Sequence, residues 1–162
     1  MNLAHYRLPR FKLKRMADPS PTCTFCRIAA GEVPAPMIFE NADCLAFLDH
    51  RPLFPGHCLV IPRAHYETLA ELPAPLAAAL FEHARRLSAV VETALGAEGA
   101  FVAINNRVSQ SVPHVHVHVV PRRKGDGLKG FFWPRRKYQD EAEMESVRLA
   151  LWREWERGGA GS

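Results

Sequence analysis

The sequence predicts an α+β fold in which a five-stranded antiparallel sheet packs against helices. Five short runs of apolar and β-branched residues lie between residues 37 and 120, and most of them are separated by turn residues. A longer segment, residues 76–95, repeats its apolar residues at helical spacing between the third and fourth runs. Short turns favour antiparallel neighbours, and the long helix supplies the remaining crossover.

The first three strands are predicted in the N-terminal half of the chain. Residues 37–39 and 44–48 flank a polar turn, which is typical of a hairpin. Residues 57–61 form another apolar run that begins directly after Pro55 and Gly56, two residues that favour turns. The pattern therefore predicts a hairpin followed by a third strand.

The remaining elements are two strands and two helices. The first helix covers residues 76–95, and Gly96 is a suitable stop. The fourth and fifth strands cover residues 100–104 and 114–120. The second helix covers residues 140–157, with acids at its start and arginines in its later turns, as the helix dipole favours. Its expected buried face consists of Met144, Val147, Leu151 and Trp155.

The fifth strand carries the strongest functional pattern. His114, His116 and His118 alternate with valines, and side chains two residues apart share one face of a strand. A strand with a solvent-exposed polar face would explain one or two histidines. Three in register, close to several uncharged polar residues, indicate an active site, because clustered titratable groups often mark such sites.

Composition is typical of one small intracellular domain. The chain has 162 residues, is 48% hydrophobic and carries a net charge of +4, with basic runs before Asp18 and after residue 121. No apolar stretch approaches the ~20 residues that a membrane-spanning helix needs, so no membrane association is expected.

Two of the four cysteines, Cys23 and Cys26, form a C-x-x-C motif, which indicates metal or redox chemistry rather than a disulfide framework.

Four blocks of the sequence resemble a known family. The run Q-S-V-P-H-V-H-V-H-V-V-P-R at residues 110–122 resembles the signature of the histidine triad (HIT) superfamily of nucleotide hydrolases and transferases. Residues 23–28, 45–49 and 55–63 resemble the family's other blocks in the same order. The resemblance implies an α+β fold and covers residues 22–123.

The resemblance also divides the chain. Residues 1–20 are expected to be a flexible basic arm, and residues 21–123 a HIT domain. Residues 124–138 would form a basic and aromatic flap, and residues 139–162 a C-terminal helix and tail. The flap suits a polyphosphate or single-stranded nucleic acid. It also suits a docking surface for a second subunit or a helix, with its charges merely solvated, and this alternative is favoured.

The resemblance assigns the catalytic roles. His116 matches the nucleophile, which attacks the α-phosphorus and forms a nucleotidyl-histidine that water then cleaves. A neutral imidazole can do this near pH 7, with its other nitrogen held by the backbone carbonyl of His114. His118 matches the histidine that contacts phosphate oxygens or the bridging atom. Asn106, Gln110 and Ser111 would donate to the developing negative charge, although Asn106 and Ser111 also suit loop capping.

The nucleotide pocket is expected in the N-terminal half. Asp49 matches the acid that accepts the ribose hydroxyls in the family. Phe25, Ile28 and Phe47 match the apolar wall around the base. The two phenylalanines are equally compatible with ordinary packing in the core. His57 matches a histidine that lines the site. It would either support the other groups of the site or only stabilise the turn before the third strand.

The resemblance extends the C-x-x-C motif to a zinc site. In zinc-containing members of the superfamily the ligands would correspond to Cys23, Cys26, His65 and His114. Tetrahedral zinc takes this donor set. Two alternatives remain, namely a redox pair and two reduced thiols without metal.

The resemblance therefore implies a cytoplasmic, zinc-containing, homodimeric hydrolase of purine nucleotides. It would cleave between the α-phosphate and a leaving group, in a nucleoside phosphoramidate or a dinucleoside polyphosphate. One alternative is an aprataxin-like enzyme that removes adenylate from nucleic-acid ends, which the basic segments favour. The other is a nucleotide-binding adaptor without catalysis, which the intact His116 disfavours.

Overall fold

A computed structural model of the protein describes residues 20–127 and 138–159. The chain divides into two compact units, of which the larger comprises residues 14–126, and the helix near the C terminus belongs to the smaller. The predicted basic arm (except Ser20) and most of the predicted flap lie outside the described residues. No helix within the described ranges is long and apolar enough to cross a membrane.

The larger unit contains the predicted five-stranded antiparallel sheet. The strands are β1 (Met37–Glu40), β2 (Cys44–Leu48), β3 (Cys58–Pro62), β4 (Gly99–Ala103) and β5 (Val117–Arg122). Their order is β1-β2-β3-β5-β4, with antiparallel pairing throughout. The α-helices are α1 (Thr24–Ala29), α2 (Ala74–Leu95) and, in the smaller unit, α3 (Glu141–Gly159), and a short 3₁₀ helix covers Leu69–Glu71. The predicted fold class is therefore confirmed.

Helix α2 covers one face of the sheet. Its buried residues are Leu80, Ala84, Leu87 and Val91, at the helical spacing that the sequence predicts. They pack against the valines that alternate with the histidines, namely Val115, Val117 and Val119. The helix ends at Gly96, whose φ of 61° is the left-handed conformation of a glycine stop.

The opposite face of the sheet carries the second core cluster. Phe47 and Leu59 from the sheet pack with Cys23, Phe25 and Cys26 at the start of α1. The C-x-x-C segment opens this short helix, with Cys23 as its N-cap. Because one helical turn brings residues three apart to the same side, this helix places both thiols on one side of α1.

The fifth strand begins three residues later than predicted, at Val117 rather than residue 114. The reason lies in the hydrogen bonds of the preceding residues. Val115 N–H donates to the carbonyl of Tyr66 (2.6 Å) and His114 N–H to that of Val112 (2.8 Å), so these residues bond to loops rather than to a strand. The side chains nevertheless alternate between the two faces of the sheet.

The buried face predicted for the C-terminal helix is wrong for the three residues whose side chains the structure describes. Met144 is 49% exposed, Val147 39% and Leu151 68%. An apolar helical stripe identifies a face that burial would favour, but it does not supply a partner for that face.

The turn before β3 gives a first stability prediction. Gly56 has φ of +92°, and a Cβ added there would overlap with Leu95 Cδ1 and lie 3.1 Å from Pro121 Cγ. Leu95 is 46% exposed and can turn aside, whereas the Pro121 ring cannot. We expect Gly56→Ala to lower the free energy of unfolding by about 2–3 kcal/mol, because backbone strain and the contact with Pro121 add.

Gly31→Ala is the matched control for this substitution. Gly31 has φ of +77°, and nothing lies within 4 Å of an added Cβ, so only the backbone cost of about 1 kcal/mol is expected. Urea denaturation of both variants measures the difference. Equal losses would show that the contact with Leu95 and Pro121 contributes nothing.

Candidate active site and metal centre

The face of the sheet opposite α2 holds the candidate site. Strand β5 lies between β3 and β4, and its pairing places His118 opposite Leu59 on one side and Ala103 on the other. Leu59 in turn pairs with Phe47 of β2. Directly paired residues share a face, so His118 stands in a row with the apolar residues of that face.

His116 is held in one orientation by the backbone. Its Nδ1 donates to the carbonyl oxygen of His114 at 2.7 Å, and the ring is only 2% exposed. Phe25 meets it edge-on, with the ring centroids 5.2 Å apart. Burial lowers the pKa of His116 below that of a free histidine, which favours the neutral ring. A neutral ring with hydrogen on Nδ1 leaves a lone pair on Nε2, as a nucleophile requires.

His118 and His57 form a hydrogen-bonded pair. The backbone N–H of Leu53 donates to His57 Nδ1 at 3.2 Å, which leaves the hydrogen of a neutral His57 on Nε2. This Nε2 lies 3.0 Å from His118 Nδ1, so His57 donates and His118 carries its own hydrogen on Nε2. His118 Nε2 is buried and has no hydrogen-bond partner within the described residues. It is therefore a donor available to a ligand.

Burial sets the protonation of this pair. It lowers the pKa of His118 to about 4 and also lowers the pKa of His57. Both rings are therefore neutral near pH 7, in agreement with the chain of donors that begins at Leu53.

Asp49 lies beside the histidine pair, directly after β2. One carboxylate oxygen accepts from the backbone N–H of Arg51 (2.9 Å), and the other is 3.6 Å from His57 Nδ1. The side chain is 16% exposed. The structure thus brings a partly accessible carboxylate close to His57 and His118, whereas its contact with ribose stays a prediction.

The apolar residues of the predicted base pocket lie together. The rings of Phe25 and Phe47 pack edge to face with centroids 5.5 Å apart. Ile28 is half-buried against the same cluster. This surface adjoins His116 through Phe25, so the predicted wall borders the triad.

The loop before the triad uses its polar side chains on the backbone. Asn106 Oδ1 accepts from Leu69 N–H at 2.8 Å. Gln110 accepts from Arg107 N–H and donates to the carbonyl of Glu67, both at 2.7 Å. These bonds tie the two loops together and support the capping alternative for Asn106. Ser111 is exposed. Phosphate binding by these three side chains stays a prediction.

The two thiols and two imidazoles predicted as metal ligands converge. One donor atom from each of Cys23, Cys26, His65 and His114 lies within 4.8 Å of the others. His114 Nδ1 is 3.6 Å from the sulfur of Cys23 and 3.6 Å from that of Cys26, and His65 Nδ1 is 3.2 Å from the Cys26 sulfur. Tetrahedral zinc, with bonds of about 2.3 Å to sulfur and 2.05 Å to nitrogen, spaces adjacent sulfur and nitrogen ligands about 3.6 Å apart.

The tautomer of His114 also suits metal binding. Its Nε2 donates to the carbonyl of Pro62 at 2.9 Å, so Nδ1 presents a lone pair to the two sulfurs. Burial lowers the pKa of His114 to about 4, which keeps the ring neutral. The donor set, its spacing and this backbone partner all fit a tetrahedral zinc ion.

Two supporting groups escape the sequence analysis, namely Leu53 N–H and the carbonyl of Pro62. Both are backbone groups that fix a histidine tautomer. Every residue has a carbonyl that can accept, and every residue except proline has an N–H that can donate. No side-chain pattern could have identified them.

The fold and the imidazole cluster together define a histidine triad protein. The HIT domain family model matches residues 30–125, which is more than half of the chain, and the chain belongs to this family.

Three relatives place the chain within the family. An adenosine 5′-monophosphoramidase of Schizosaccharomyces pombe is 36% identical over 115 residues, which cover 70% of this chain and 84% of that protein. An adenylylsulfatase of Arabidopsis thaliana is 37% identical over 108 residues, 65% of this chain, and the match spans only 55% of that protein's length. A zinc-bound histidine triad family protein from Mycobacterium smegmatis superposes with a TM-score of 0.64 at 37% identity, covering 82% of this chain and 94% of its own.

Proposed function

We propose that the protein is a zinc-containing hydrolase that cleaves purine nucleotides at the α-phosphate through a nucleotidyl-histidine intermediate. The observation that carries this proposal is the arrangement of His116, whose Nδ1 donates to the His114 carbonyl while Nε2 keeps its lone pair. The relatives named as a monophosphoramidase and an adenylylsulfatase support the same reaction class.

In the first step His116 Nε2 attacks the α-phosphorus. The bond to the leaving group breaks, and the bonding pair departs with that group, which takes a proton from solvent when it is an amine. His118 Nε2–H donates a hydrogen bond to the bridging atom or a phosphate oxygen, where negative charge develops. Water then cleaves the phosphorus–nitrogen bond, which releases the nucleotide and restores neutral His116.

Nucleotide binding is assigned to the residues around this centre. Asp49 accepts the ribose hydroxyls, and the Phe25, Ile28 and Phe47 surface holds the base. His57 keeps the Nε2 hydrogen of His118 directed at the phosphate, because its own tautomer is fixed by Leu53 N–H.

Zinc would be held by the two thiolates of α1 together with His65 and His114. Its role when bound is structural, since all four ligands come from the protein and no position is left for substrate. The carbonyl of His114 contacts His116, so the same residue links the metal centre to the nucleophile. The four cysteines are free, and we place the enzyme in the reducing cytoplasm.

A substrate panel tests the proposal. The substrates are adenosine phosphoramidate, adenylyl sulfate, diadenosine polyphosphate and an adenylated oligonucleotide, each measured separately. We expect AMP to be released fastest from adenosine phosphoramidate. Release from the oligonucleotide alone would favour the nucleic-acid repair alternative. Binding of AMP without turnover of any substrate would favour the adaptor.

We also propose a symmetric homodimer in which α2 and β4 form the contact surface. Phe81 and Val90 on α2 are 42% and 49% exposed, and Val102 on the edge strand β4 is 42% exposed. Edge strands and exposed apolar residues are commonly covered by a second copy. Light scattering at micromolar concentration should give twice the chain mass of 18.2 kDa. Phe81→Glu should shift the mass to that of one chain, and a monomeric parent would contradict the proposal.

A further inference from the structure

A second group of metal-binding side chains lies in the candidate active site. One donor atom from each of Asp49, His57 and His118 lies within 4.8 Å of the others. A carboxylate and two neutral imidazoles are ligands that zinc and similar ions accept. These residues are distinct from the four donors of the C-x-x-C centre.

The spacing of the two imidazoles suits a shared metal ion. His57 Nε2 and His118 Nδ1 are 3.0 Å apart, with a single hydrogen between them. Nitrogen ligands at about 2.1 Å from one metal ion lie roughly 3.0–3.4 Å apart in octahedral or tetrahedral geometry. A divalent ion can replace the shared hydrogen if His57 Nδ1 gives up its bond from Leu53 N–H and carries the hydrogen of the ring instead. His57 Nε2 then offers a lone pair to the ion, as His118 Nδ1 already does. The Asp49 carboxylate, 3.6 Å from His57 Nδ1, supplies negative charge next to it.

The two groups of donors are expected to differ in how tightly they hold a metal ion. The C-x-x-C centre is buried and has four protein ligands, as structural zinc sites do. The Asp49 group has three, and Asp49 and His118 are only half-buried, so coordination positions remain for water or phosphate. We infer that Asp49, His57 and His118 form a second, exchangeable site for a divalent transition metal ion, and that metal bound there inhibits hydrolysis.

The inhibitory part rests on the proposed function. A metal ion on His118 Nδ1 turns the ring toward His57, which moves the Nε2–H donor away from the phosphate. It also occupies the carboxylate that we assign to ribose. Loss of one donor to a developing charge typically lowers a rate by about 100-fold. We therefore expect hydrolysis to fall by at least tenfold when the second site is filled.

The binding part is tested by titration of the protein that already holds one zinc per chain. Calorimetry with Zn²⁺ should detect one further ion, and Asp49→Asn and His57→Gln should each raise its Kd by at least tenfold. The matched control is His50→Ala, because His50 is 84% exposed with its Nδ1 3.6 Å from the Asp49 carboxylate but is not a member of the group. This variant should bind the second ion as the parent does.

Cobalt identifies the ligands without reference to activity. Co²⁺ added to the one-zinc protein should give visible d–d bands without the thiolate charge-transfer band that the C-x-x-C centre would produce. Melting curves confirm that each variant is folded, and Asp49→Asn provides the test if His57→Gln is not.

Each outcome decides a separate claim. No second ion in the parent, or a second ion that all variants retain, overturns the site. A second ion that leaves hydrolysis unchanged or accelerates it overturns the inhibition alone. If the parent hydrolyses no nucleotide, the proposed function fails, and the calorimetric and cobalt results still decide whether the metal site exists.

Discussion

We expect His116→Ala to lower kcat for adenosine phosphoramidate by at least about 1,000-fold, because the variant has no atom that can form the intermediate. Nucleotide affinity should change little, since the Phe25, Ile28 and Phe47 surface and Asp49 remain. The fold should persist because the valines beside His116 pack on the opposite face of the sheet, against α2. Single-turnover kinetics with radiolabelled substrate measures the rate.

The intermediate provides an independent measurement. Rapid denaturation during turnover should trap AMP on the parent in acid-labile form, and none on the His116 variant. His83→Ala is the matched control, since it removes an imidazole from α2 whose ring packs against Phe39 of β1 rather than near the triad. It should keep both turnover and trapped AMP. A His116 variant with the parent rate would rule out the covalent mechanism.

The second large effect is expected from loss of zinc. Cys26→Ala should abolish metal binding and lower the free energy of unfolding by at least about 3 kcal/mol, because binding energy at a structural site contributes to folding. For a domain of this size that corresponds to a fall in Tm of roughly 10 °C. Metal analysis and melting curves with and without a chelator measure both quantities.

Cys44→Ala separates zinc from packing. Cys44 is buried, as Cys26 is, and its replacement also removes one sulfur atom, but Cys44 lies in the apolar core under α2. Burial raises its pKa to about 11, so it remains a thiol. This variant should keep one zinc per chain, and a chelator should lower its Tm as it lowers that of the parent. A parent without zinc, and equal losses in the two variants, would contradict the metal centre.

The sheet could be predicted because its sequence signals are local. Alternation of histidine and valine identified both faces around β5, and the spacing of α2 identified its buried residues. The start of β5 could not be predicted, since it depends on the bond from Val115 to Tyr66, far away in sequence. The exposure of Met144, Val147 and Leu151 on α3 could not be predicted either, because apolar spacing does not identify a partner for the helix.

Less of the candidate site could be predicted from local sequence patterns, because its residues are far apart in the chain. His65 and His114 lie far from the C-x-x-C motif in sequence, and only resemblance to a family indicated that these donors meet. Gln110 illustrates the opposite limit. Its type suits a phosphate donor, yet both ends of its amide bond to loop backbone. The same side chain suits either role, and only the fold determines which partners lie within reach.

The contact between His114 O and His116 Nδ1 limits what mutagenesis can reveal. Every amino acid brings its own main-chain oxygen, so alanine scanning at residue 114 deletes the ring and leaves the acceptor in place. A scan at residue 114 would therefore report the loss of a zinc ligand and nothing of this hydrogen bond, however strongly the bond orients the nucleophile. Its contribution becomes measurable only through chemical synthesis, for instance with a thioamide in place of the amide that joins residues 114 and 115.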